Sequence, residues 1–296
     1  MLSSDTGSEI KEDRVIKLLA LDLDGTLALP NNELLPQTKT SLEKMHDEGK
    51  VRIIIATGRR YRTSRNLIDN LGFEPYVVCN GGSLIKTPQR ETFYSHSYNV
   101  SSVARIAREM KLTVFAQRDS DTLKGPDFLI DDVESWSQVT RKHHQQNKTV
   151  SQKADLVSGS EKILVAGVLG SRKDLERFSL GIEEKHPGQY SLICVPAFEK
   201  PNYYCEVSPA GVNKWTGIKK LLDYFRIEEK EVCAAGDQLN DIAMVNGCGH
   251  GFAMGNADPA LKKVADFVCG DNDKNGLVEV MAYITRINSG ANQING

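Results

Sequence analysis

The stretch "LALDLDGTLALP", Leu19 to Pro30, sets two aspartates on either side of a single leucine, where the apolar run Val15 to Leu21 gives way to a turn. A run that is apolar throughout except for Lys17 reads as a strand buried on both faces, as in a parallel sheet covered by helices. A carboxylate at the end of such a strand is costly unless it is paired or bound to a cation. Asp24-Gly25 is also a common turn signal, so the stretch taken alone fits a turn as well as a site.

Outward from this stretch the pattern alternates. A helix is expected from about Pro36 to Glu48, with Leu42 and Met45 at helical spacing and Gly49 as its stop. The strand "VRIIIATG" follows, then a helix from about Tyr61 to Leu71 and the strand "YVVCNGG". Between about Ser83 and Tyr204 the regular alternation is lost: strand-like "LTVFAQ" and "EKILVAGVLG" stand among helix-like "SVARIAREM" and "RKDLERFSLGIEEKH", which reads as an α+β insertion. The alternation resumes with a helix to about Phe225, the strand "EVCAAGD", a helix near Asp241 to Val245, the strand "HGFAMGN", a helix to about Val264, the strand "DFVC" and a last helix from Gly276 to about Ile287. The expected architecture is α/β, a Rossmann-like parallel sheet core with an inserted α+β domain. Residues 1–13 and 289–296 read as a disordered start and a frayed tail.

Composition narrows the class. The 296 residues carry 37 Lys and Arg against 39 Asp and Glu, a net charge of -2, so no basic excess draws in nucleic acid or anionic lipid. No stretch reaches the roughly 18 apolar residues of a membrane span, and the polar opening "MLSSDTGSEIKEDR" lacks the apolar centre of a signal peptide. The six cysteines form no CxxC pair, and a reducing, cytoplasmic setting is expected. Oligomeric state is not readable from the pattern.

In a parallel α/β sheet, ligands bind beyond the carboxyl ends of the strands. The strand ends here deliver Asp22 and Asp24, then Thr57 and Gly58, then Asn80 with Gly81 and Gly82, and after the insertion Asp237, Asn240 and Asp241, with Lys214 opening the helix before them. Each residue alone also has a structural reading: Thr57-Gly58 as a cap, Asp241 as a first-turn acid, Lys214 as a solvated helix residue. Together they are harder to explain that way. Four carboxylates gathered at one edge repel unless a hard cation with oxygen ligands joins them, and magnesium suits few carboxylates, several waters and phosphate oxygens. Lys214 and Thr57 beside it then suit phosphate, one as a compact charge and one as a hydroxyl donor.

The motifs "DLDGT" (22–26), "ATGR" (56–59), "GVNKW" around Lys214 and "GDQLND" (236–241) resemble, in order, the four motifs of the haloacid dehalogenase-like hydrolases. "NGG" at Asn80 and "AMGNADPALKKVADFVCGDNDKNGL" resemble its Cof-like branch, whose large cap lies between the second and third motifs; the long gap between Thr57 and Lys214 fits that placement. The resemblance implies a catalytic core of residues 14–83 and 205–288, a cap of 84–204, and a magnesium-dependent phosphatase acting on a small phosphorylated metabolite, a sugar phosphate or a cofactor-precursor phosphate. It implies Asp22 as nucleophile, Asp24 as acid and base, Thr57 and Lys214 as phosphoryl binders, and magnesium held by Asp22, the carbonyl of Asp24, Asp237 and Asp241. Asn240, Gly58, Asn80 and Arg59 are further candidates for substrate contact. In the cap, Arg118, His143, His144 and Lys162 are polar candidates, each read first as a surface residue. Two other readings stand beside this one: a phosphomutase on sugar phosphates, and a catalytically idle phosphate-ligand sensor.

Overall fold

A computed structural model describes residues 15–119, 126–134, 136–197 and 201–294, which fall into two units. The first holds the chain up to Ile54, residues Asn70–Phe73 and everything from Leu222; the second holds Ile55–Asp69 and Glu74–Leu221. The expected disordered start, residues 1–13, lies outside the described residues.

In the first unit the strand Leu18–Asp22 is buried at every position, as its unbroken apolar run requires. It begins later than Val15 because Val15 and Lys17 face solvent, and Lys17 pairs with Glu231 at 2.6 Å. The strand Val232–Gly236 lies parallel beside it, with Leu18 registered on Val232 and Leu21 on Ala235. His250–Ala253 and Phe267–Val268 continue the parallel order outward. On the other side comes Arg52–Ala56, whose Arg52 amide donates to the Lys17 carbonyl at 2.8 Å, and within this strand the chain leaves the unit.

Helix Pro36–Asp47 starts with proline at its first turn, where the missing N–H costs nothing, and buries Thr38, Leu42 and Met45. It packs on the last helix, Gly276–Ile294, which buries Leu277, Val280, Met281 and Ile284 at helical spacing. That helix runs seven residues past the expected end at Ile287, through most of the segment read as a frayed tail. The Asn288 side chain explains the extension: its Oδ1 accepts from the Ile16 amide at 2.7 Å and its Nδ2 donates to the Ile16 carbonyl at 2.9 Å. An Asn-Ser-Gly sequence that reads as a breaker is here tied to the lead-in of the first strand.

The second unit contains an antiparallel run, Tyr76–Cys79, Leu84–Lys86 and Thr92–Ser95. It also contains a six-stranded sheet in the order Tyr190–Pro196, Tyr203–Pro209, Val165–Gly170, Val114–Gln117, Phe128–Asp131, Ser151–Ala154. Only the last pair is parallel. Helices Ser101–Glu109 and Arg172–Lys185 cover one face through Val103, Ile106, Phe178 and Ile182. Among the described residues no helix is long and apolar enough to cross a membrane, and all six cysteines are free thiols.

Candidate active site

The parallel register of the first unit decides where the acids fall. Leu21 stands opposite Ala235, so Asp22 and Asp237 leave neighbouring strands at the same edge. Asp241 follows in a short 3-10 turn, Leu239–Asp241, that folds back over the strand end. Asp22, Asp237 and Asp241 are 4%, 3% and 0% exposed, and each offers a carboxylate oxygen within 4.8 Å of the others. Two glycines make room for them. A Cβ on Gly25, whose φ of +78° already disfavours a side chain, would sit 2.3 Å from Asp237 Oδ2, and one on Gly236 would sit 2.5 Å from Asp241 Cβ.

Fixed donors hold two of these carboxylates. The amides of Asp237 and Gln238 donate to Asp241 Oδ2, both at 3.0 Å. Gln238 Nε2 donates to Asp237 Oδ2 at 3.0 Å and Thr26 Oγ1 to Oδ1 at 3.2 Å. Burial pushes Asp237 above the usual carboxylate range and the charge of Asp241 adds to this, while Gln238, Asp22 and Thr26 pull the other way. The all-oxygen donor set, in a cradle that a Cβ would fill, suits a divalent cation such as magnesium. Asp24 differs from Asp22 in being exposed, on the tight turn in which the Leu27 and Ala28 amides donate to the Leu23 carbonyl. Asn240 is exposed as well.

The second unit gathers another part of the expected set. Thr57 is fully buried, its amide donating to Val78 and its Oγ1 accepting from the Arg59 amide at 3.1 Å. The Gly81 amide donates to the Thr57 carbonyl at 3.2 Å and the Asn80 amide to the Arg59 carbonyl at 2.9 Å, so the second and third expected strand ends are knitted together. Lys214, 2% exposed, opens helix Lys214–Phe225 against the same turn. Gly82, at a φ of +109°, permits this approach: a Cβ there would lie 2.0 Å from the Asn213 carbonyl oxygen. Gly58 is exposed, and Arg59 Nη1 turns back to the Thr63 carbonyl at 3.5 Å.

Several residues in this unit carry interactions that the sequence did not announce. Asn80 Nδ2 donates to Gln117 Oε1 at 2.7 Å, and Gln117 hydrogen-bonds Tyr204 in turn. Arg60, next to the motif arginine, pairs with Asp127 at 3.2 Å, donates to Asn147 at 2.8 Å and lies 4.9 Å above the Phe128 ring. Glu206 lies under the field of Lys214; burial pushes its carboxyl up, Lys214 pulls it down, and it settles at about 7. Three of the residues first read as surface ones, Arg118, His143 and His144, are half-buried. Arg118 is held by Glu161 at 3.0 Å and by the Pro126 carbonyl at 2.7 Å. His143 stands edge-on to Phe115 and Phe128, at 4.7 and 5.5 Å, because the helix Gln138–Gln146 lies on an aromatic part of the sheet. His144 bonds Ser151 at 3.0 Å, whereas Lys162 is exposed as expected.

A family model described as haloacid dehalogenase-like hydrolase matches residues 19–281. The chain is 25% identical over 281 residues to a 5-amino-6-(5-phospho-D-ribitylamino)uracil phosphatase of Bacillus subtilis, covering 89% of this chain and 96% of that protein. It is 25% identical over 272 residues to a pyridoxal phosphate phosphatase of Escherichia coli, covering 89% and 96%. A crystal structure of a haloacid dehalogenase-like hydrolase from Bacteroides thetaiotaomicron superposes with a TM-score of 0.73 at 26% identity, over 90% of this chain and 99% of that one.

Proposed function

Because the chain belongs to the haloacid dehalogenase-like hydrolase family, we propose that it is a magnesium-dependent phosphatase that releases phosphate from a small phosphorylated metabolite through an aspartyl-phosphate at Asp22. The observation that carries this reading is the buried convergence of Asp22, Asp237 and Asp241. Three carboxylates sunk at one strand edge contribute nothing to a core, and they suit a cation-binding phosphoryl-transfer site.

The steps follow from the side chains. A carboxylate oxygen of Asp22 attacks phosphorus as the ester oxygen leaves, and Asp24, exposed on its turn, gives the departing alcoholate its proton. The same carboxylate of Asp24 then takes a proton from water, which attacks phosphorus, breaks the bond to Asp22 and frees inorganic phosphate. Lys214 and Thr57 are assigned to the phosphoryl oxygens, whose charge fixed donors stabilise as it develops. Asp22, the carbonyl of Asp24, Asp237 and Asp241 would hold magnesium, which would supply the charge neutralisation that lets an anionic nucleophile approach an anionic phosphate. Residues 14–83 and 205–288 are assigned to the catalytic core and 84–204 to the cap, with the six-stranded sheet, Val114 to Pro209, running past the end assigned to the cap. A cytoplasmic location accompanies this assignment.

Asp22→Asn tests it. The substitution keeps the shape and removes the nucleophile, so phosphate release from acetyl phosphate with magnesium is expected to fall at least ~1,000-fold while the thermal unfolding transition is kept. Equal activity in variant and parent would remove Asp22 from the reaction.

A further inference from the structure

The six-stranded sheet of the second unit has one face filled by apolar packing and the other divided. On the divided face Phe115, Phe128, Ile130 and Leu169 form a cluster covered by Val139 and His143 of the helix Gln138–Gln146. The registered row from Ile130 and Phe115 continues to Gly167, Glu206 and Ile193, and the row from Leu169 continues to Tyr204 and Val195. Residues registered across neighbouring strands share a face and stand about 5 Å apart. Glu206, Ile193 and Val195 therefore carry this face beyond the cluster, and there Ile193 is 44% and Val195 46% exposed. Their neighbours Tyr190 and Leu192 point the other way, into the core. The face is shallow at its middle, since Gly167 has the Tyr204 hydroxyl where a side chain would be, 2.0 Å from an added Cβ.

One end of this open strip adjoins the residues assigned to phosphate. A Cβ built on Gly81 would lie 3.7 Å from Glu206 Oε1, and the Lys214 charge acts on the Glu206 carboxyl. A substrate whose phosphate sits at Lys214 thus meets Glu206 first and the aliphatic pair next. A sugar would present hydroxyls in every direction, and each one pressed against Ile193 and Val195 loses water without gaining a partner. Gln117 is already engaged with both Asn80 and Tyr204. Among the described residues a flat ring with one donor matches Ile193, Val195 and Glu206, branched aliphatic side chains for the ring and one carboxyl for the donor, with Ser191 and Ser208 in the next row of the same face. With its proton affinity near neutrality, that carboxyl both accepts from a ligand and donates to one.

We propose that Glu206, Ile193 and Val195 form the subsite for the organic half of the substrate, and that this half is a heteroaromatic alcohol bearing an amino or hydroxyl donor rather than a polyhydroxylated sugar. The assignment rests on the phosphatase reading above. The test compares kcat/KM, with magnesium, for pyridoxamine 5′-phosphate, glucose 6-phosphate and acetyl phosphate, the last having neither ring nor hydroxyls. The parent is expected to favour pyridoxamine 5′-phosphate over glucose 6-phosphate by at least ~10-fold. The double variant Ile193→Ser/Val195→Ser and the single variant Glu206→Gln are each expected to lower the ratio of pyridoxamine 5′-phosphate to acetyl phosphate by ~10-fold, mainly through KM. Glucose 6-phosphate hydrolysed as well or better by the parent, or ratios unmoved in folded variants, would overturn the subsite and leave the phosphatase standing. Absence of phosphate release from all three compounds, acetyl phosphate included, would overturn the phosphatase reading and the subsite with it.

Discussion

At the scale of single residues, burial separates the members of each pair that the sequence presents as equivalent. Asp22 is buried and Asp24 exposed although only Leu23 lies between them, which suits a fixed nucleophile and a proton carrier that must meet water. Gly25 is as constrained as either acid. Gly25→Ala forces a side chain into Asp237 at a φ that disfavours one, so it is expected to weaken magnesium binding ~10-fold or more, read by isothermal titration. His143 and His144 divide in the same way. His143, between Phe115 and Phe128 with Arg60 nearby, is pushed down to about 4, mainly by burial and also by Arg60. Below its ordinary 6.5 the unfolded chain takes up a proton that the folded chain refuses until about 4, so stability falls as pH drops through that window. The loss amounts to as much as ~2 kcal/mol after allowance for partial solvent access. Urea unfolding at pH 7 and pH 5 is expected to reveal it in the parent, and His143→Phe, which keeps the ring contacts, is expected to flatten the slope. An equal slope in the variant would place the acid sensitivity elsewhere.

Elements were legible where one physical signal dominated. The apolar runs at Leu18–Asp22, Arg52–Ala56 and Val232–Gly236 gave buried strands, and the amphipathic spacing around Leu42 and Ile284 gave their helices. Gly49 and Pro36 bounded the first helix close to its observed limits. The last helix was cut short because Asn-Ser-Gly carries a local breaking preference, while the bonds from Asn288 to Ile16 bridge 272 positions and leave no trace in a local window. Asn288→Ala is expected to cost ~1–2 kcal/mol in thermal unfolding, since it strands two partly buried backbone groups. No loss would mean that water or a neighbour satisfies Ile16 equally well. The strands Tyr203–Pro209 and Phe128–Asp131 escaped the sequence reading because Glu206 breaks the apolar pattern of one and Asp131 ends the other, and each polar residue is matched only in the folded chain, by Lys214 and Arg108.

For the molecule as a whole, the convergence of Asp22, Asp237 and Asp241 could be read from order and spacing because a parallel sheet brings its strand ends to one edge. The surroundings could not, because Arg60, Gln117, Tyr204 and Glu206 are ordinary polar residues whose meaning is set by folded neighbours. The clustered acids also predict a whole-molecule effect. Asp237 and Asp241 oppose one another until a cation joins them, so magnesium is expected to raise the unfolding temperature, with ~2.7 kcal/mol of stabilisation at one hundred times its dissociation constant. Asp237→Asn is expected to shrink that rise and to leave the metal-free protein at least as stable as the parent, whereas an undiminished rise would take Asp237 out of the metal site. The central claim is that phosphate passes through Asp22, and chemical trapping tests it most directly. Enzyme is quenched during turnover of acetyl phosphate, reduced with borohydride, which converts an aspartyl-phosphate to homoserine, and sequenced by mass spectrometry. The account predicts homoserine at position 22; homoserine at another aspartate, or an unmodified Asp22 in enzyme that is releasing phosphate, would contradict it.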